Sequence, residues 1–148
     1  MGYELGTDGP SAIVVGVDGS EPSLRAAAYA LGQARRHGSR LVAVFARTTT
    51  GGMASMIDAS GSARTAVLAA QDEVETLLRR AHATEAGGVE AELIVRPGDP
   101  FQVLSDVARE VRADCVVVGS SESIGHRFAG SLAVRLVRKA HWPVTVVP

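Results

Sequence analysis

Aromatic residues make up only 4% of this 148-residue chain, and there is one cysteine, Cys115. A single thiol excludes an internal disulfide and a zinc site built on cysteines. It falls in the apolar run A-D-C-V-V-V, where a buried, inert thiol is expected. With few aromatics, the core must rest on Val, Leu, Ile and Ala, which suit helices lying close on a sheet. No apolar run approaches the ~20 residues of a membrane helix. No charge of one sign dominates: 15 basic residues face 16 acidic ones. That balance argues against a nucleic-acid surface driven by counterion release. The opening M-G-Y-E-L-G-T-D-G-P has neither a basic n-region nor an apolar h-region. Gly6 also stands where a myristoylation signal needs Ser or Thr. The expectation is a cytoplasmic protein, away from membranes and nucleic acid.

Several chemistries lack their parts. There is no Gly-x-x-x-x-Gly-Lys-Ser/Thr, no Gly-x-Gly-x-x-Gly after the first strand and no Gly-x-Ser-x-Gly elbow. His37, His82, His126 and His141 lack metal-ligand spacing, so no metal site is expected. No nucleophile–base pair stands out, and no catalytic residue is assigned. The pairs Arg35–Arg36, Arg79–Arg80 and Arg138–Lys139 read as solvated helix ends complementing helix dipoles.

What is present is a regular alternation. Residues 1–11 are polar and glycine-rich and read as a flexible tail, followed by one domain over 12–148. Ala12–Asp18 is a short, nearly continuous apolar run, the mark of a strand buried on both faces. Ser20 reads as an N-cap and Pro22 suits a first helical turn. The helix continues to about His37, with Leu24, Ala27, Ala28 and Leu31 on one face, and Gly38 stops it. Arg40–Ala46 is a second strand. Residues 48–62 have no periodicity and read as a long excursion; Met53, Met56 and Ile57 either cover a pocket or partner, or ride on a mobile surface loop. Ala63 to about Ala86 is a long helix facing inward through Val67, Leu68, Val74, Leu77, Leu78 and Ala81. Val89–Arg96 alternates like an edge strand. Asp99 caps a helix presenting Val103, Leu104, Val107, Ala108 and Val111. Ala113–Gly119 is the fourth strand, 130–140 a last helix with Leu132, Leu136 and Val137 inward, and Pro143–Val147 the fifth strand. This order predicts an α/β fold with a parallel sheet and helices on both faces.

The stretch Val116–Ser131, V-V-V-G-S-S-E-S-I-G-H-R-F-A-G-S, concentrates the chemistry. It reads as a buried strand, a loop of glycines and serines, and a helix start. Such a loop lets backbone approach a ligand and offers unpaired N–H groups to an anion. If the strand order is 3-2-1-4-5, the sheet's switch point lies between strands one and four. Asp18-Gly19-Ser20 and Gly119-Ser120-Ser121 then face one crevice. Asp18 either accepts from a sugar hydroxyl or a hydrated metal, or caps the following helix. Val44 and Ala46 either wall a flat base or simply pack the core. His126 and Arg127 are the loop's cationic spot, which either meets phosphate or is an ordinary solvated pair.

These segments resemble the universal stress protein family. The resemblance is carried by I-V-V-G-V-D-G-S-E-P-S at residues 13–23, A-D-C-V-V-V-G-S at 113–120, and G-S-L-A-V-R-L-V-R-K-A-H-W-P-V-T-V-V-P at 130–148, with the P-G-D-P turn between them. It implies a three-layer fold with a five-stranded parallel sheet of order 3-2-1-4-5. It also implies a homodimer paired through the last strand, 143–147, and a stress-response role with an unidentified protein partner. In members carrying Gly-x2-Gly-x9-Gly-Ser/Thr it implies ATP or AMP in the crevice, with magnesium entering only alongside the nucleotide. By position, the binding residues are then Val17, Asp18, Gly19, Val44, Gly119, Ser120, Gly125, His126, Arg127, Gly130, Ser131 and Leu132. Two departures stand out. Glu122 occupies the second glycine's place, and ten residues separate Gly119 from Gly130 where the motif has twelve. Gly125 gives Gly-x5-Gly-x4-Gly-Ser instead. A carboxylate about 4 Å from a phosphate charge costs a few kcal/mol at an effective dielectric near 20, or roughly two to three decades of affinity. The expectation is a dimeric binding and signalling domain with a degenerate adenine-nucleotide site. A competent ATP or AMP sensor is the alternative, and a slow ATPase ranks last.

Overall fold

The computed structural model describes residues 11–48, 62–85, 87–120, 132–139 and 141–148. The chain runs β1 (Ala12–Gly16), α1 (Glu21–His37), β2 (Arg40–Arg47), α2 (Ser62–Glu85), β3 (Ala91–Pro97), α3 (Pro100–Val111), β4 (Cys115–Gly119), α4 (Leu132–Lys139) and β5 (Val144–Val147). The five strands form one sheet in the order β3-β2-β1-β4-β5, and every pairing is parallel. The expected topology is therefore present. The 48–62 excursion, apart from its two end residues, and the 121–131 loop lie outside the described residues.

Alternate strand residues face opposite layers. Val14, Val42, Val44, Val116 and Val118 pack under Val103, Leu104, Val107 and Ala108 of α3 and Leu136 of α4. Ile13, Val15, Val17, Phe45 and Val117 pack under Ala26, Ala30 and Ala34 of α1 and Leu78 of α2. Each fully buried Val contributes roughly 1.5–3 kcal/mol. Both sides of β1 and β4 are covered, which is why those strands read as continuous apolar runs.

The helices are closed by their own sequence. Ser20 caps α1, its hydroxyl accepting from Ser23 N, and Gly38 ends the helix with φ of 65°. Asp99 caps α3, accepting from Gln102 N at 3.1 Å. Arg35, Arg36 and His37 lie in the last turn of α1, and Arg138 and Lys139 in that of α4, as expected. Arg79 instead lies well inside α2, where it pairs with Glu75.

Several inward faces differ from expectation. On α1 the buried stripe is Ala26, Ala30 and Ala34, while Leu24 is 37% exposed. Methyl side chains let this helix approach the sheet closely, and its leucines are left at the flank. On α2, Val67, Leu68 and Leu77 are exposed, and Leu78 carries the burial. A 24-residue helix is about 36 Å long, against about 26 Å for the eight-residue β2, so part of it must overhang the sheet. On α4, Val137 is 66% exposed because Leu136, not its neighbour, meets the core. Ser11, read as part of the tail, is tied down: its hydroxyl donates to Asp114 Oδ2 at 2.7 Å and lies 2.6 Å from Ser39 Oγ. Cys115 is half-buried, its thiol pushed up by desolvation and then by the Asp114 charge, which fits the inert reading. Among the described residues, no helix is long and apolar enough to cross a membrane.

Candidate functional site

The site is built where β1 and β4 lie side by side, with Ile13 opposite Cys115 and Val15 opposite Val117. From β1 the chain proceeds outward to β2 and β3; from β4 it proceeds the other way to β5. The carboxyl tips of β1 and β4 thus flank the switch point, where open α/β sheets bind ligands.

The two tips meet at the first turn of α1. Asp18 N donates to Ser23 Oγ at 3.2 Å, and Ser23 Oγ donates to Ser20 O at 2.9 Å. Gly119 lies against the same turn: a Cβ there would sit 2.4 Å from Pro22 C and 2.6 Å from Pro22 O and Ser23 N. Only glycine fits, because the neighbouring atoms are backbone and cannot yield. Gly19 has φ of 85°, a conformation glycine adopts freely, and an added Cβ would meet Val74 of α2 at 2.9 Å. Gly19 therefore joins the β1 tip to α2.

Asp18 is exposed at this crevice. Its Oδ1 accepts from Ser20 N at 2.9 Å, which shapes the turn. Desolvation pushes its carboxyl up, but hydrogen bonds from Ser20 and then Ser23 outweigh this and hold it below the usual carboxylate range. Asp18 is thus an ionised acceptor at neutral pH, while Ser20 is the helix cap. Ser120 extends the sheet, its N–H donating to Val147 O at 2.7 Å. Val17 is buried on the α1 side, and its N–H donates to Val44 O at 2.9 Å. The Val44 side chain is buried on the opposite side, beneath α3, so only its main chain faces the β1 tip. Leu132 is partly buried against the same α3-side core.

The structure thus brings together Val17, Asp18, Gly19, Gly119 and Ser120, with the main chain of Val44. Gly125, His126, Arg127, Gly130 and Ser131 lie outside the described residues, as does Glu122. Three features escaped the sequence reading. Ser23 links the two tips, and only its spacing from the Ser20 cap hinted at it. Arg47, at the end of β2, is bound by Asp72 at 2.7 Å and Glu75 at 3.0 Å, and it fixes α2 over the β1 tip. Arg135 of α4 donates to Asp99 Oδ1 at 3.0 Å, with its guanidinium 4.6 Å from the Phe101 ring centre. This contact ties α4 to the start of α3.

The ionised Asp18 can accept a hydrogen bond at the β1–β4 crevice. Comparison with known proteins agrees with this architecture. The model of the universal stress protein family matches residues 11–148. The chain belongs to the universal stress protein family. It is 27% identical over 137 residues to a universal stress protein of Methanocaldococcus jannaschii, covering 91% of this chain and 80% of that one. A universal stress protein solved in complex with cAMP is 27% identical, with a TM-score of 0.64, covering 93% of this chain and 96% of the other. A universal stress protein from Archaeoglobus fulgidus in complex with dAMP is 25% identical, with a TM-score of 0.55, covering 93% and 98%.

Proposed function

We propose that the crevice between the β1 and β4 tips binds an adenine nucleotide, and that the protein acts by binding and signalling rather than by turnover. The meeting of Asp18, Ser23 and Gly119 at the switch point carries this reading. Asp18 accepts from the ribose, and the main chain of Val17 and Gly19 borders the sugar. The loop after Ser120 takes the phosphate. Two relatives of known structure hold adenine monophosphates, which supports the ligand class.

The phosphate side favours a monophosphate such as AMP over ATP. In this sequence the second glycine position holds Glu122, and the loop between Gly119 and Gly130 is two residues short of the family motif. Negative charge added by Glu122 on the phosphate side would penalise the more highly charged triphosphate most. Magnesium would enter only with a polyphosphate. No residue in the described crevice stands ready as a general base except Asp18, whose lowered pKa makes it a weak one.

We also propose a cytoplasmic homodimer through β5. Among the described residues nothing pairs with its outer edge, and Val146 in this strand is 42% exposed. A protein partner would receive the nucleotide signal.

Calorimetric titration of the full chain with AMP and with ATP tests the ligand reading. AMP binding tighter than ATP is expected, and Glu122→Gly should raise ATP affinity by roughly two decades. Wild-type ATP binding tighter than AMP would overturn the degenerate reading in favour of a competent ATP sensor. Phosphate release above blank, lost in Asp18→Ala, would instead establish an ATPase.

A further inference from the structure

The α1–α2 layer contains a cavity of about 290 Å³ that touches the nucleotide candidates only at Val17. Its size falls at the lower end of small-molecule sites, roughly 300–1,000 Å³. Leu24 and Leu31 of α1 form one wall, Leu78 and His82 of α2 the other, and Ala43 lies in the floor on β2. The floor crosses from β1 to β3, about 10 Å at the usual strand spacing. Among the described residues, His82 is the single polar side chain in the lining, four residues beyond Leu78 and so on the same face of α2. Alanines at 27, 28, 43 and 91 keep the space open where a larger aliphatic side chain would close it. Aliphatic walls of this kind favour a hydrocarbon over a polar molecule.

We infer that this cavity binds a small hydrocarbon molecule with one hydrogen-bonding head, of the class of a medium-chain carboxylate. The tail lies on the Leu24, Leu31, Leu78 and Ala43 surfaces, and the head meets the His82 imidazole. A polar ligand would leave its groups unpaired against aliphatic walls. The cavity meets the crevice at the strand tips only through Val17, so the inference does not rest on that crevice taking a nucleotide. Both walls are helices joined to the crevice, α1 through Ser23 and α2 through Val74, so ligand here can reach the nucleotide site mechanically.

The test is a titration of the isotope-labelled full chain with decanoate, followed by amide chemical shifts. Saturable shifts confined to α1, α2 and β1–β3 around the cavity are expected. Ala28→Phe, at an exposed position beside the mouth, should abolish them while circular dichroism stays native. His82→Leu should weaken decanoate about tenfold, the weight of one hydrogen bond to a charged head. Should Ala28→Phe prove unfolded, Ala43→Leu in the floor serves the same purpose. Absence of saturable shifts, or binding unchanged in a folded cavity-filling variant, would overturn the inference. So would competitive displacement of decanoate by AMP, which would make the cavity part of the nucleotide site.

Discussion

Gly119 and Ser23 decide whether the two strand tips share one cleft. An alanine at 119 would press its methyl against the Pro22 carbonyl group and Ser23 N, atoms fixed by the helix and its cap. We expect Gly119→Ala to destabilise the protein by about 2–3 kcal/mol, the upper range for overpacking, as read from the urea midpoint. Asp99 offers a second residue-scale prediction. Its carboxyl is held below its ordinary value of 3.8, first by the Arg135 hydrogen bond, against a smaller desolvation cost, and then by Gln102 N. The folded pKa lies below the unfolded one, so Asp99 contributes its full stability above about pH 5 and loses it as pH falls through 3.8 toward the lower folded value. Asp99→Ala should cost about 1 kcal/mol at neutral pH, the usual weight of an N-cap, and should flatten the acid limb of the stability profile. An unchanged acid limb, measured by thermal unfolding between pH 3 and 5, would contradict this assignment.

At the scale of elements, α2 is held by few buried apolar side chains among the described residues. Leu78 is buried and Val74 rests on Gly19, while Val67, Leu68 and Leu77 face outward. Its hold on the sheet is largely polar: Arg47 reaches Asp72, Glu75, Gln71 and the Leu68 carbonyl. Arg47→Met should therefore speed amide exchange across α2, leave α3 unchanged, and lower the thermal midpoint. Uniform exchange across both helices would show that α2 is held by something else. The same element marks the limit of the sequence. Alternating apolar runs and helical spacing made all five strands and the caps at Ser20, Gly38 and Asp99 legible, while the strand order was implied only by the family resemblance. Periodicity alone gave α2 a full inward stripe, because it cannot register that the helix outruns the sheet. It likewise favoured leucines over Ala26, Ala30 and Ala34 as the inner face of α1. Asp18 and Gly119 could be read because each ends an apolar run. Ser23 and Arg47 could not, because their roles arise only when segments distant in sequence meet.

At the scale of the whole molecule, the outer edge of β5 and the crevice make separate predictions. Val146→Lys should convert the proposed dimer to monomer in analytical ultracentrifugation, since a charge on an unpaired edge opposes strand pairing. A wild-type chain that already sediments as a monomer would remove that proposal without touching the crevice. The central claim is spatial: the β1 and β4 tips hold one nucleotide between them. The most direct test is to map amide shifts in the labelled full chain on adding AMP. We predict the largest shifts at residues 17–20 and 119–120, saturating together with a single Kd. Saturable shifts that leave either tip untouched, or no shifts at millimolar AMP, would contradict the account.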